Sequence, residues 1–114
     1  MLTVPAPARA RPLQQPLDVL LRVVPGVSRV RVVVHGVVQG VFFRDGLRDQ
    51  ARAERVGGWV RNRADGTVEA VLEGPAAAVE RVVEWCRSGP PRARVDAVDV
   101  STEAPEGLAN FRVF

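Results

Sequence analysis

The 114 residues contain no lysine and no tyrosine, one cysteine and one histidine. A single cysteine excludes an internal disulfide. One His and one Cys cannot make a standard zinc site. Without lysine there is no nucleotide-binding P-loop, which needs that side chain on the phosphates. No stretch approaches the ~18 consecutive apolar residues that mark a membrane-spanning helix. The N-terminus also fails as a secretory signal, because prolines at 5, 7, 12 and 16 interrupt it and no unbroken apolar core follows Met1. The simplest location is the cytoplasm, with no membrane partner.

All sixteen cationic residues are therefore arginines, which with abundant Ala, Val and Gly reads as a composition bias. The net charge of +3 invites a nucleic-acid reading, and its distribution argues against one. Residues 1–29 hold Arg9, Arg11, Arg22 and Arg29 against Asp18 alone, while residues 30–114 balance twelve arginines with twelve acids. A neutral body lacks the basic face that phosphate-backbone binding requires.

Residues 1–28 are proline-rich and read as a flexible leader, in which LDVLLRVV is long enough for only one or two marginal helical turns. The domain follows, over residues 29–114. In VRVVVHG, Val30, Val32 and Val34 point to one side and Arg31, Val33 and His35 to the other, which predicts a strand. From Phe43 to Val56 the apolar residues Phe43, Leu47 and Ala51 recur every four positions, a helical stripe that Gly57 is expected to end. GWVRN predicts a strand, RADG a hairpin turn, and TVEAVLEG a second strand with Val68, Ala70 and Leu72 inside and Thr67, Glu69 and Glu73 outside. A second helix to about Arg87 carries Val79, Val82, Val83 and Cys86 on its apolar face, with Trp85 on the flank. VDAVDVST and NFRVF complete the chain as strands. The order is that of an α+β, ferredoxin-like split β-α-β-β-α-β sandwich. It predicts an antiparallel sheet, two helices on one face, a polar or solvated opposite face, and a short extra C-terminal strand.

GVVQGVFFR, residues 36–44, links the first strand to the first helix. A turn opening into a helix exposes N–H groups without internal partners, and the helix dipole adds positive charge there. Glycine permits left-handed backbone and lets a ligand approach without meeting a Cβ. An arginine at the mouth adds a two-pronged, charge-assisted contact. These features suit a tetrahedral dianion such as phosphate. On chemistry alone, a plain tight turn is the alternative.

The same stretch resembles the first signature of the acylphosphatases, G-x-V-Q-G-V-x-F-R, at every specified position. GWVRNRADGTVEAVLEG, residues 58–74, resembles the second, with Gly58, the aromatic Trp59, Asn62, Gly66, Val68 and Gly74 in place. The resemblance covers residues 29–114 and implies the fold reached above. It implies hydrolysis of acyl phosphates to a carboxylate and inorganic phosphate; because the two motifs hold no carboxylate cluster or His/Cys set, no metal or other cofactor is expected. The phosphate loop would be Gln39, Gly40, Val41, Phe42, Phe43 and Arg44. Arg44 would bind the phosphoryl group and Asn62 would orient the attacking water. The implied partner is a small-molecule acyl phosphate, with no nucleic acid, and the chain is expected to be a monomer. Leu47 stands where the family often has Thr, and Gly46 is a weak helix former in the first helical turn.

Four other readings are weaker. His35 adjoins the loop but lacks catalytic partners. Cys86 and Arg92 have the C-x5-R spacing of cysteine-dependent phosphatases, yet Cys86 lies on an apolar helix face and Pro90-Pro91 remove two N–H donors from the would-be cradle. An RNA-binding module of the same element order would need stacking aromatics on its central strands, where this chain has Val, Ala, Glu and Arg. A non-catalytic anion- or acyl-phosphate-binding domain on the same fold is the closest rival, since fold does not fix function.

Overall fold

The computed structural model of the chain describes residues 26–114. The stretch LDVLLRVV and most of the leader lie outside the described residues. Val27 and Ser28, read above as the leader's end, are already strand.

The elements are β1 (Val27–Val37), α1 (Phe43–Ala53), β2 (Gly57–Asn62), β3 (Val68–Pro75), α2 (Ala76–Cys86), β4 (Arg94–Glu103) and β5 (Phe111–Val113). They form one five-stranded sheet in the order β4-β1-β3-β2-β5. The first four strands pair antiparallel, as expected. β5 instead pairs parallel with β2, so the sheet is mixed. The topology requires this. Glu103 at the end of β4 lies opposite Arg29 near the start of β1, and Gly57 at the start of β2 lies opposite Glu73 near the end of β3. The chain therefore crosses one end of the sheet, arrives beside the start of β2, and can only run alongside it.

Both helices cover one sheet face. Val32 and Val34 of β1, Val60 of β2, Ala70 and Leu72 of β3, Leu47 and Ala51 of α1, and Val82 and Cys86 of α2 are fully buried there. The helical stripe Phe43, Leu47 and Ala51 is buried as the spacing predicts. Leu47 is thus a core residue. Gly46 leaves room for the Trp85 ring, which a Cβ would approach to 2.8 Å. No helix among the described residues is long and apolar enough to cross a membrane.

The end of α1 differs from the sequence reading. Gly57 does not stop the helix; it opens β2. Arg55 takes the left-handed conformation instead, with φ 58°. Its N–H donates to the Arg52 carbonyl at 3.1 Å, and the Val56 N–H reaches back to Ala51 at 2.7 Å. These two bonds are the Schellman closure, with buried Val56 and Ala51 as its apolar pair.

The opposite face is polar, solvated at His35, Arg61 and Asp99 but closed over at its centre. Arg29, Glu69 and Glu73 are all buried. Charges pair across the strands: Arg29 with Glu73 at 3.3 Å and Glu103 at 2.9 Å, Arg31 with Glu69 at 2.6 Å and also with Glu103. Arg61 donates through Nε to Glu69 at 2.8 Å. The Trp59 ring lies beneath the Arg31 and Arg61 guanidiniums, 5.5 and 5.6 Å from its centroid. Glu73 also accepts the Glu106 N–H at 3.0 Å and the Gly107 N–H at 2.6 Å, which fastens the β4–β5 crossing. Burial pushes the Glu73 carboxyl up. The crossing amides and Arg29 outweigh that and hold it below its ordinary value. Burial likewise pushes Glu69 up, but Arg61 and Arg31 outweigh it and hold it low, and Glu103 is lowered by Arg31 and Arg29.

Two outcomes follow. Carboxyls whose folded pKa is depressed stabilise the fold above their unfolded value and lose that contribution as pH falls. Stability should be flat near neutrality and fall steeply below the ordinary value near 4.5. Glu73→Gln, measured by chemical denaturation, should cost about 3 kcal/mol at pH 7 by leaving Arg29 short of a partner and should flatten the acid limb; an unchanged limb contradicts the assignment. Separately, Arg55→Gly removes a left-handed Cβ penalty of about 1 kcal/mol and should raise Tm by about 4 °C. A lower Tm would show that the Arg55 side chain stabilises more than its backbone strain costs.

Candidate active site

The site is built where β1 gives way to α1. Gly36, the first glycine of the turn motif, is still in β1, where the pairing with β4 shifts between His35 and Gly36. Its φ is 131°, and a Cβ there would lie 2.1 Å from the Arg94 carbonyl oxygen. This glycine therefore serves the close approach of β4. Gly40 serves the turn: its φ is 74° and the space beside its Cα is open. Phe42 follows as the N-cap of α1, with φ 66° and ψ 26° and no side-chain cap. A bulky residue in that region is strained by about 1–2 kcal/mol, a condition concentrated at functional sites. Among the described residues, the main-chain N–H groups of residues 40–45 have no main-chain acceptor. Left-handed turns of this kind, followed by a helix N-terminus, make a concave ring of donors.

The ring faces a cleft of about 270 Å³ lined by Val38, Gly40, Phe42, Phe43, Arg44, Asp45 and Asn62. Arg44 sits in the first turn of α1, half-buried. Its Nη1 donates to the main-chain oxygen of Phe114 at 2.8 Å. Unlike Arg29, Arg31 and Arg61, it is paired with no Asp or Glu side chain among the described residues, and only Nη1 is engaged, so most of its fork is free for an anion. Asn62 comes from the last position of β2 on the opposite wall. Its Oδ1 is buried and takes no hydrogen bond. A buried orphan acceptor costs about 1–3 kcal/mol, so it marks a place where a donor belongs.

The structure thus brings Gly40, Phe42, Phe43, Arg44 and Asn62 to one cleft. Val41 packs against the core instead. Gln39 does not line the cleft; its side-chain amide donates to the Arg63 carbonyl at 2.7 Å and the Thr67 carbonyl at 2.9 Å. Val38 and Asp45 are the lining residues that the sequence reading did not single out. The adjacency of Asp45 to Arg44 was the available signal. The Asp45 carboxylate lies 3.6 Å from Arg48.

The residues set aside earlier stand apart from the cleft. His35 Nε2 is 2.9 Å from the Asp99 carboxylate on β4. Cys86 is fully buried, and burial pushes its thiol up to about 12. A thiol so hard to ionise is no nucleophile at neutral pH. No group of three or more His, Cys, Asp or Glu that could hold a metal occurs among the described residues.

Comparison with known proteins places the chain in a family. The acylphosphatase family model matches residues 30–113. The acylphosphatase of Gloeobacter violaceus is 55% identical over 85 residues, spanning 75% of this chain and 91% of that protein. That of Rubrobacter xylanophilus is 58% identical over 82 residues, spanning 72% of this chain and 74% of that protein. Among solved structures, an acylphosphatase from Coxiella burnetii superposes with a TM-score of 0.75 at 37% identity, over 78% of this chain and 94% of that one.

Proposed function

The chain belongs to the acylphosphatase family and hydrolyses acyl phosphates, and from that premise we propose a division of labour in its cleft. The free N–H groups of the loop and the Arg44 guanidinium hold the phosphoryl group. Asn62 holds the attacking water. The observation that carries this reading is the buried, unpartnered Asn62 Oδ1 in the wall of the cleft that Arg44 also lines.

An acyl phosphate is already activated, because its leaving group is a carboxylate. Hydrolysis needs positioning and charge stabilisation more than a strong base. Loop amides and Arg44 are fixed before substrate arrives, so they stabilise charge on the phosphoryl oxygens without reorganising. A water donating one O–H to Asn62 Oδ1 has a lone pair free to attack phosphorus. The P–O bond to the acyl group breaks, the carboxylate leaves with that electron pair, and the water proton passes to a phosphoryl oxygen. Asp45, the one carboxylate in the lining, lies within ion-pair distance of Arg48. Because the positive charge comes from Arg44 and the amides, turnover should proceed in excess EDTA. Loss restored by Mg²⁺ would contradict this.

Arg44 and Asn62 should fail differently. Arg44 meets phosphate in substrate, transition state and product. Arg44→Ala should therefore weaken inhibition by inorganic phosphate as well as lower kcat, and Arg44→Lys should rescue little, since an ammonium cannot reproduce the planar fork. Asn62→Ala should lower kcat by roughly 10²-fold with benzoyl phosphate as substrate, while the phosphate inhibition constant stays nearly unchanged. Equal weakening of phosphate binding in both variants would make Asn62 a phosphate ligand and refute the water-holding role.

A further inference from the structure

Gln39 belongs to the first signature, yet its side chain points out of the phosphate loop and into the β2–β3 hairpin. A primary amide has two N–H donors. Here the nitrogen bonds to two main-chain carbonyls, those of Arg63 at 2.7 Å and Thr67 at 2.9 Å. These carbonyls are the two shoulders of the hairpin, where the Arg63 N–H already donates to Thr67 at 2.9 Å and the Gly66 N–H to Arg63 at 3.1 Å. Asn62 immediately precedes Arg63, and Gly40 immediately follows Gln39. One amide group therefore ties the chain just before the cradle to the chain just after Asn62. Among the described residues, no other hydrogen bond joins residues 38–42 to residues 62–68.

We propose that Gln39 is a positioning residue that sets the spacing between the phosphate cradle and Asn62; the inference rests on the reading that Asn62 holds the water. Each side of the tether is otherwise self-supporting. The hairpin has its own bonds, and Asp65 Oδ1 accepts from the Thr67 N–H at 3.0 Å and hydroxyl at 2.6 Å. The cradle is fixed by its left-handed residues and by α1. Loss of the tether should leave both halves formed and let the distance between them drift. A misplaced water lowers the rate of attack far more than it weakens phosphate binding. The chemistry also explains the residue type: a carboxylate at this position would face two carbonyl oxygens, and an aliphatic chain would leave both unbridged.

The test is a double-mutant cycle with Gln39→Met, which keeps the length and loses both donors. Kinetics with benzoyl phosphate, the inhibition constant of inorganic phosphate and a thermal melt are measured for Gln39→Met, Asn62→Ala and the double variant. Gln39→Met should lower kcat roughly tenfold or more, with the phosphate constant within about threefold of the parent chain. In the Asn62→Ala background it should cost less than about twofold further, because a tether to an absent side chain has nothing left to position. Equal loss in both backgrounds, or a phosphate constant that rises in step with the fall in kcat, would overturn the inference while leaving the role of Asn62 intact. An Asn62→Ala variant with unchanged kcat would overturn the water-holding reading and this inference with it. Should Gln39→Met be unfolded at the assay temperature, Gln39→Asn, which keeps the donors on a shorter arm, is read by the same cycle.

Discussion

Everything in the cleft depends on a chain reversal made by two left-handed residues, Gly40 and Phe42, between a central strand and a helix. After this reversal the main-chain N–H groups of residues 40–45 find no main-chain acceptor among the described residues, and the first helical hydrogen bond starts at Gly46. Glycine at 40 makes the reversal without a Cβ, and open space beside it admits a ligand. Phe42 adopts the same region at a steric cost and is 65% exposed. The neighbouring ring, Phe43, is buried against Trp85 with centroids 5.3 Å apart. One aromatic thus anchors the start of α1 in the core while the other occupies its N-cap position at the surface. Arg44 is placed at the cleft because Phe43 is fixed beside it.

The paired charges on the other sheet face have a different task. No helix covers that side, and the chain must still cross one end of it to deliver β5 to the edge of β2. Glu73 does this by accepting the crossing amides while Arg29 compensates its charge. β5 then presents the Phe114 main-chain oxygen to Arg44. A buried carboxylate at the far end of the sheet is thereby linked, through strand pairing, to the orientation of the cleft arginine.

The sequence carried the element order, the buried valines of β1 and the α1 stripe, because periodicity reports directly which side faces a core. It carried the cleft residues Gly40, Arg44 and Asn62 through two motifs that share one site. What escaped it were consequences of tertiary pairing. Glu69 and Glu73 alternate like solvent-facing residues, and only their cross-strand arginines and the crossing loop bury them. Gly57 looked like a helix stop because glycine favours that role, whereas Arg55 takes it under the closure made by Val56. Gly36 read as part of an anion turn, but its reason is a strand irregularity with β4. Gln39 read as a phosphate-loop residue because its side-chain acceptors lie more than twenty positions away.

Inorganic phosphate, and so the phosphoryl group of substrate, is expected to bind the main-chain donors of residues 40–45 beside Arg44. The direct measurement is a titration of 15N-labelled protein with inorganic phosphate, followed amide by amide. The largest saturable shifts should fall on residues 40–45, with one dissociation constant equal to the inhibition constant, and Arg44→Ala should weaken that binding. Shifts concentrated instead around Arg31, Trp59 and Arg61 on the opposite face, with residues 40–45 unmoved, would contradict this assignment.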